Sequence, residues 1–137
     1  MVLKVIAAFG TDDGRCFIDR HFGDSRYFYI YEIDENGASF LKRIDNSTDK
    51  DEGDKIHGDP VKAGGIMGLL LNESVNVAVS KNFGPNITRI QKKFVCVRIT
   101  GFDIAESIKE MQKSIGDIFE EWEKGEDRKH LNLRRAI

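Results

Sequence analysis

The sequence is poor in the residues that build closed metal sites, and it has no long apolar run. Its two cysteines, Cys16 and Cys96, form no CxxC pair, so this chain alone supplies neither a four-ligand zinc site nor an all-cysteine iron–sulfur site. No run approaches the roughly 18–20 apolar residues of a membrane span, and the opening "MVLKVIAAFG" is too short for a signal peptide. We therefore expect a soluble cytoplasmic protein with no membrane partner and no disulfide.

The sequence also lacks a surplus of positive charge and the common catalytic motifs. Lysine and arginine number 21 against 23 aspartates and glutamates, a net charge of −2 that argues against a general nucleic-acid binder. GxGxxG, GxxxxGK[ST], HExxH and GxSxG are all absent. The first predicted strand carries no carboxylate, so a metal-dependent nuclease would lack its acids. These absences argue against the enzyme classes that depend on these motifs.

At 137 residues the chain is long enough for one domain with a core of its own. A β-hairpin is predicted first, because "DENG" separates two β-type runs. Alternating helices and strands follow, which is typical of a sheet with parallel strands. We predict an α/β three-layer sandwich with a mixed five-stranded sheet. Its predicted strands are 2–9, 26–33, 38–45, 75–79 and 94–100, and its predicted helices are 60–72, 85–93 and one that begins after Asp103.

The last helix carries an apolar stripe with steps of four and three residues, which is typical of a helix packed along its length. Either this helix lies on its own sheet, or its far end at 118–122 meets a second subunit and forms a homodimer. Gly116 could break the helix, and the polar tail is predicted to fray. We divide the chain into a domain at 1–115 and a helical extension at 116–137. The stripe consists of Ile104, Ile108, Met111, Ile115, Ile118 and Trp122.

Two glycine-containing turns follow predicted strands. One spans Gly10 to Gly14, and the other, Gly84-Pro85-Asn86, opens a helix. The carboxyl ends of parallel strands gather at one edge of a sheet, where ligands usually bind. Helix N-termini attract anions. The turns therefore predict a crevice for an anionic ligand, although glycine and proline also occur in ordinary turns.

Three side chains near these turns are candidate metal ligands. His21 lies in "DRHFGDSRYFYIYEI" with Phe22 and Gly23 beside it, and His57 precedes a predicted helix. Neutral imidazole is a common metal ligand, and Cys16 lies near the same turn. Each has an ordinary alternative, as a surface or capping histidine or a turn thiol. Cys96, inside "FVCVRI", is predicted to be a core thiol.

The stretch "DDGRCFIDRHFGDSRYFYIYEI" resembles the opening of the dinitrogenase iron–molybdenum cofactor biosynthesis family, the NifX/NifY/NafY-like proteins and the carboxy-terminal domain of NifB. The shared pattern is a glycine turn, an apolar residue, HFG and an aromatic strand. "VNVAVSKNFGPN" and "FVCVRI" resemble its later strands and glycine-proline turn. The resemblance covers roughly residues 2–112. The matching positions in the first stretch are Ile18, His21, Phe22, Gly23, Phe28 and Tyr31.

The resemblance implies a fold of the ribonuclease H-like motif type without hydrolase activity. It implies transient binding of an iron–sulfur or iron–molybdenum-type cluster, so the purified protein could carry none. His21 becomes the expected cluster-contacting residue, with donor and acceptor proteins as partners. The alternative function is a regulatory or interaction module that binds no cluster and acts through its C-terminal helix.

Overall fold

The computed structural model of the chain describes residues 3–46 and 60–134, with side chains from residue 65 in the second range. Six strands and four α-helices lie in these ranges. The strands are β1 (Lys4–Thr11), β2 (Tyr27–Asp34), β3 (Ala38–Asp45), β4 (Val77–Ser80), β5 (Val95–Thr100) and β6 (Leu131–Arg134). The helices are α1 (Pro60–Asn72), α2 (Ile87–Ile90), α3 (Ile104–Lys113) and α4 (Ile115–Trp122).

The strands form one mixed sheet in the order β3-β2-β1-β4-β5-β6. β1, β2 and β3 pair antiparallel, while β1, β4, β5 and β6 pair parallel. The predicted hairpin turn is confirmed, since the Asp34 carboxylate accepts the backbone N–H groups of Asn36 and Gly37 at 2.8 Å each. This arrangement places the carboxyl ends of β1, β4 and β5 at one edge of the sheet.

Two hydrophobic cores lie on opposite faces of the sheet, as a three-layer α/β sandwich requires. Side chains alternate along each strand, so Phe9 on β1 packs with α3 and α4, while Ala8 packs on the other face with Ile66 and Leu70 of α1. The predicted fold class is therefore confirmed. Within the described ranges, no helix has both the length and the apolar content needed to cross a bilayer.

The sheet has six strands, not the predicted five. β6 lies in the tail that we expected to fray, and it pairs parallel with β5 from Val97↔Leu131 to Thr100↔Arg134. Leu131 and Leu133 pack against the core on the α3–α4 face. The alternation at 131–134 has only four residues, which is too short to predict a strand from the sequence. β6 forms because it pairs with the neighbouring β5.

The predicted last helix is in fact two helices, and the break lies at Ser114 rather than at Gly116. Ser114 has φ −105° and ψ 15°, and its N–H bonds to the carbonyls of Glu110 and Met111. The helix expected at 85–93 is also shorter, because Gly84–Asn86 forms a 3₁₀ turn before α2.

The apolar stripe packs on its own sheet. Ile115 and Ile118 of α4 are buried, and Ile118 is 0% exposed, so its side chain is not available to a second subunit. Beyond α4, the Arg128 guanidinium lies 4.2 Å from the centre of the Trp122 ring and donates to the carbonyls of Trp122 and Lys92. These contacts fasten the C-terminal segment to the body of the protein. Homodimer formation stays a prediction.

Candidate functional site

The loops that follow β1 and β4 meet at the carboxyl edge of the sheet. The backbone N–H of Phe22 donates to the carbonyl of Asn82 at 2.8 Å. The Lys81 ammonium donates to a carboxylate oxygen of Asp19 at 2.7 Å, and this bond with its charge lowers the pKa of Asp19. The expected meeting of these two loops is therefore confirmed by a backbone bond and an ion pair.

The residues of the HFG motif form a tight turn. His21 is extended at φ −71° and ψ 152°, and a 3₁₀ turn follows at Phe22–Asp24. The carbonyl of Phe22 accepts both the N–H and the hydroxyl of Ser25, at 3.2 and 2.8 Å. A Cβ on Gly10 would lie 2.4 Å from that hydroxyl oxygen and 3.1 Å from the Phe22 ring. Gly10 therefore packs closely against the turn, where a side chain would not fit.

The aromatic member of the motif anchors the turn. Phe22 is 1% exposed, and its ring centre lies 4.9 Å from that of Phe28 and 5.4 Å from that of Phe83. Because Phe83 immediately precedes Gly84, this packing holds the two loops together. The Phe22 ring stabilises the site from beneath and does not face solvent.

His21 lies directly against the glycine-proline turn. Gly84 has φ +71°, and a Cβ at this residue would lie 2.5 Å from Nδ1 and 2.6 Å from Cγ of His21. The imidazole therefore occupies the space that the missing side chain leaves. The side chain of His21 is 38% exposed, and its Nδ1 lies 4.0 Å from Oδ2 of Asp24. His21 thus contacts the Gly84-Pro85-Asn86 turn at Gly84, with its side chain partly open to solvent. We call this place, formed by His21 and the turn, the rim.

Sequence reasoning missed a residue that fixes this turn from behind. Asn46, which follows β3, is 4% exposed and donates from Nδ2 to the carbonyls of Gly23 and Ser25, both at 2.9 Å. On the other side, a Cβ on Gly23 would lie 3.2 Å from Cδ1 of Ile66 on α1. The turn is therefore held between the buried side-chain amide of Asn46 and helix α1. Asn46 lies 23 residues from Gly23 in the sequence, so no local signal predicts this contact.

The structure separates Gly14 from the rim at His21. We had expected the turn that contains Gly14 and the turn that contains Gly84 to line one crevice. Gly14 has φ +82° and packs against the Tyr29 ring, on the sheet face covered by α3. There it lines a shallow groove of about 630 Å³ with Ile104 and Ile108. The loop after β1 is long enough to reach both faces of the sheet, so its first and last parts lie apart.

The remaining candidate ligands from the sequence are the two thiols and the second histidine. Cys16 is exposed and is held in the turn after β1, where its N–H donates to Asp13 and its carbonyl accepts from the Thr11 hydroxyl at 2.6 Å. Burial raises the pKa of the Cys96 thiol to about 12, as expected of a core thiol. His57 lies outside the described residues. Within 3–46 and 60–134, no three His, Cys, Asp or Glu side chains converge as a metal-ion site.

The family model for the dinitrogenase iron-molybdenum cofactor matches residues 3–114. The chain belongs to this family. Family membership associates the chain with biosynthesis or binding of the iron–molybdenum cofactor, as the resemblance of the HFG segment implied. The matched range ends at the junction of α3 and α4, so α4 and β6 lie outside it. No curated protein sequence matches the chain.

Solved structures support the fold of this family member. A crystal structure of a provisionally named dinitrogenase from Methanocaldococcus jannaschii has 24% sequence identity, covers 82% of this chain and 91% of that chain, and has a TM-score of 0.57. An NMR structure of a provisionally named dinitrogenase from Methanococcus jannaschii has 21% identity, covers 82% of this chain and 90% of that chain, and has a TM-score of 0.52. At these identities the likeness concerns the fold alone.

The candidate metal donor at the rim is the imidazole of His21, which is 38% exposed and lies beside Gly84, where the missing side chain leaves room for the ring. A neutral imidazole nitrogen suits iron and related transition metals.

Proposed function

We propose that this protein is a non-enzymatic carrier that binds an iron–sulfur-type metallocluster, such as the iron–molybdenum cofactor or a precursor, and delivers it to a recipient protein. The cluster is cargo, and a donor protein supplies it. The observation that carries the proposal is the packing of His21 against Gly84, which holds a 38% exposed imidazole at the rim between two strand-end loops.

A single imidazole suits transfer as well as binding. The turn that presents His21 is fixed by Asn46 and by the Phe22–Phe83 packing, so the ring is held in place before a guest arrives. Little ordering is then required on binding, which favours affinity. A guest attached through one metal–nitrogen bond leaves when that bond breaks, whereas several thiolates would retain it. We assign no catalytic step to any residue at the rim.

Anaerobic reconstitution with iron and sulfide, and separately exposure to a preformed [4Fe–4S] cluster, test the proposal. Visible absorbance and iron content would be measured for the wild type, His21→Ala and His130→Ala. His130 is the matched control, because it is also a partly exposed histidine but follows α4, outside the rim. We expect the wild type and His130→Ala to take up the cluster and His21→Ala to lose most of this uptake.

Two results would contradict the carrier. One is a wild type that stays colourless and ignores the preformed cluster, and the other is equal uptake by His21→Ala. The first would favour the interaction module as the alternative. Deleting 117–137 is not a clean test of that alternative, because the deletion would remove the fully buried Ile118 and the strand β6 from the fold. The mass of the intact chain in solution is the better measurement.

A further inference from the structure

The position of Asp24 indicates how the His21 ring is oriented. Asp24 ends the 3₁₀ turn that His21 precedes, and its N–H donates to the carbonyl of His21 at 2.8 Å. Its carboxylate oxygen Oδ2 is buried and lies 4.0 Å from Nδ1 of His21. The Asp24 side chain is 14% exposed against 38% for His21, so the carboxylate lies deeper than the ring.

Gly84 packs against one face of the same ring. The three ring atoms nearest to a Cβ on Gly84 would be Nδ1, Cγ and Cε1, at 2.5, 2.6 and 2.8 Å. Because these distances are so similar, the Cβ would lie over the face of the ring, nearer to Nδ1 than to Nε2. The contact that bears on the direction of Nδ1 is therefore the one with the Asp24 carboxylate.

A neutral imidazole carries its proton on one nitrogen and a lone pair on the other. A nearby carboxylate stabilises the proton on the nitrogen that it faces, and this fixes which nitrogen can bind a metal. The distance of 4.0 Å exceeds that of a direct hydrogen bond, so the proposed influence of the carboxylate on the ring acts through space.

We propose that Asp24 is a positioning residue that holds the proton of His21 on Nδ1 and so presents the lone pair of Nε2 to the guest. The meaning of this role rests on the proposed function, but the tautomer itself is a property of the chain without any cluster. The backbone that carries Asp24 is well defined, because Asn46 bonds to the carbonyls on both sides of Asp24, those of Gly23 and Ser25.

The deciding measurement is the tautomer of His21, read from ¹⁵N chemical shifts and ¹⁵N–¹H couplings of ¹⁵N-histidine-labelled protein. The pH would be high enough for the ring to be neutral. We expect the Nδ1–H tautomer in the wild type and a shift toward Nε2–H, the form favoured by a free histidine side chain, in Asp24→Asn. Asp117→Asn is the control, since it removes one exposed carboxylate on α4 and should leave the tautomer unchanged.

An Nε2–H tautomer in the wild type, or an unchanged Nδ1–H tautomer in Asp24→Asn, would overturn the inference. Uptake of the preformed [4Fe–4S] cluster gives a second reading. Loss of the Asp24 carboxylate should weaken cluster uptake about tenfold. Its removal also makes the rim less negative, which changes uptake by itself. The tautomer is therefore the measurement that decides whether Asp24 orients the ring. If the tautomer shifts as expected while the wild type takes up no cluster, the inference on Asp24 stands and the carrier proposal fails.

Discussion

The imidazole of His21 occupies the space that a side chain at Gly84 would need: a Cβ on Gly84 would lie 2.5 Å from Nδ1 of His21. These residues stand 63 positions apart and belong to loops that follow different strands. Their contact makes the glycine-proline turn and the HFG turn a single rim. A guest bound at His21 would therefore depend on both loops.

Gly84→Ala should displace the imidazole and reduce cluster uptake. The left-handed backbone at φ +71° adds about 1–2 kcal/mol of strain for any residue with a Cβ. Gly125→Ala separates these effects, because Gly125 has φ +63° but a Cβ there would meet no described atom within 4 Å. Urea unfolding should show both variants destabilised, with uptake lost only in Gly84→Ala. Equal uptake by the two would mean that the His21 contact has no influence on binding.

Asn46→Ala should loosen the HFG turn. The variant removes a part-buried hydrogen bond to the carbonyl of Gly23 and a buried one to the carbonyl of Ser25. An unsatisfied buried carbonyl costs about 1–3 kcal/mol, so we expect the free energy of unfolding to fall by about 2 kcal/mol or more. Asn132→Ala, at an exposed position of β6, is the comparison and should change stability little. If Asn46→Ala has the same free energy of unfolding as the wild type within error, the two Asn46 side-chain hydrogen bonds contribute nothing to stability.

Glu121 should make the stability of the C-terminal segment depend on acid. Burial opposes ionisation of this carboxyl, but the N–H of Lys129 at 2.8 Å and the ammonium of Lys124 at 3.1 Å outweigh it, and the pKa falls below its ordinary 4.5. A lowered folded pKa gives stability that is present above pH 4.5 and is lost as the pH falls through the folded value.

The corresponding measurement is urea unfolding of the wild type and Glu121→Gln between neutral and acidic pH. The wild type should lose stability below about pH 4.5, and part of this loss should be absent in Glu121→Gln. Parallel pH curves for the two proteins would show that the Glu121 carboxylate is not favoured in the folded state.

The sheet and the rim were predictable from sequence where the signals are local. "DENG" indicated the hairpin, and the Gly84-Pro85 turn after β4 indicated the loop that meets His21. These signals act within a few residues, because turn geometry and strand alternation are set by neighbouring side chains. The HFG segment indicated the family because its pattern is also a short, contiguous run of residues.

Contacts between distant residues explain what could not be predicted. Asn46 and Gly23 meet only because β3 returns beside β2, and β6 exists only because β5 offers it a partner. The separation of Gly14 from His21 reflects the path of the loop after β1, which no composition rule describes. The break between α3 and α4 likewise lies at Ser114, a position that no glycine or proline marks in the sequence.

The most direct test of the central claim is whether the nitrogen of His21 is bonded to the cluster. Protein labelled with ¹⁵N-histidine would be loaded with a preformed [4Fe–4S] cluster, reduced, and examined by pulsed electron paramagnetic resonance. The account predicts a ¹⁵N hyperfine coupling in the wild type and in His130→Ala that disappears in His21→Ala. A loaded wild type without ¹⁵N coupling, or a coupling that persists in His21→Ala, would contradict it.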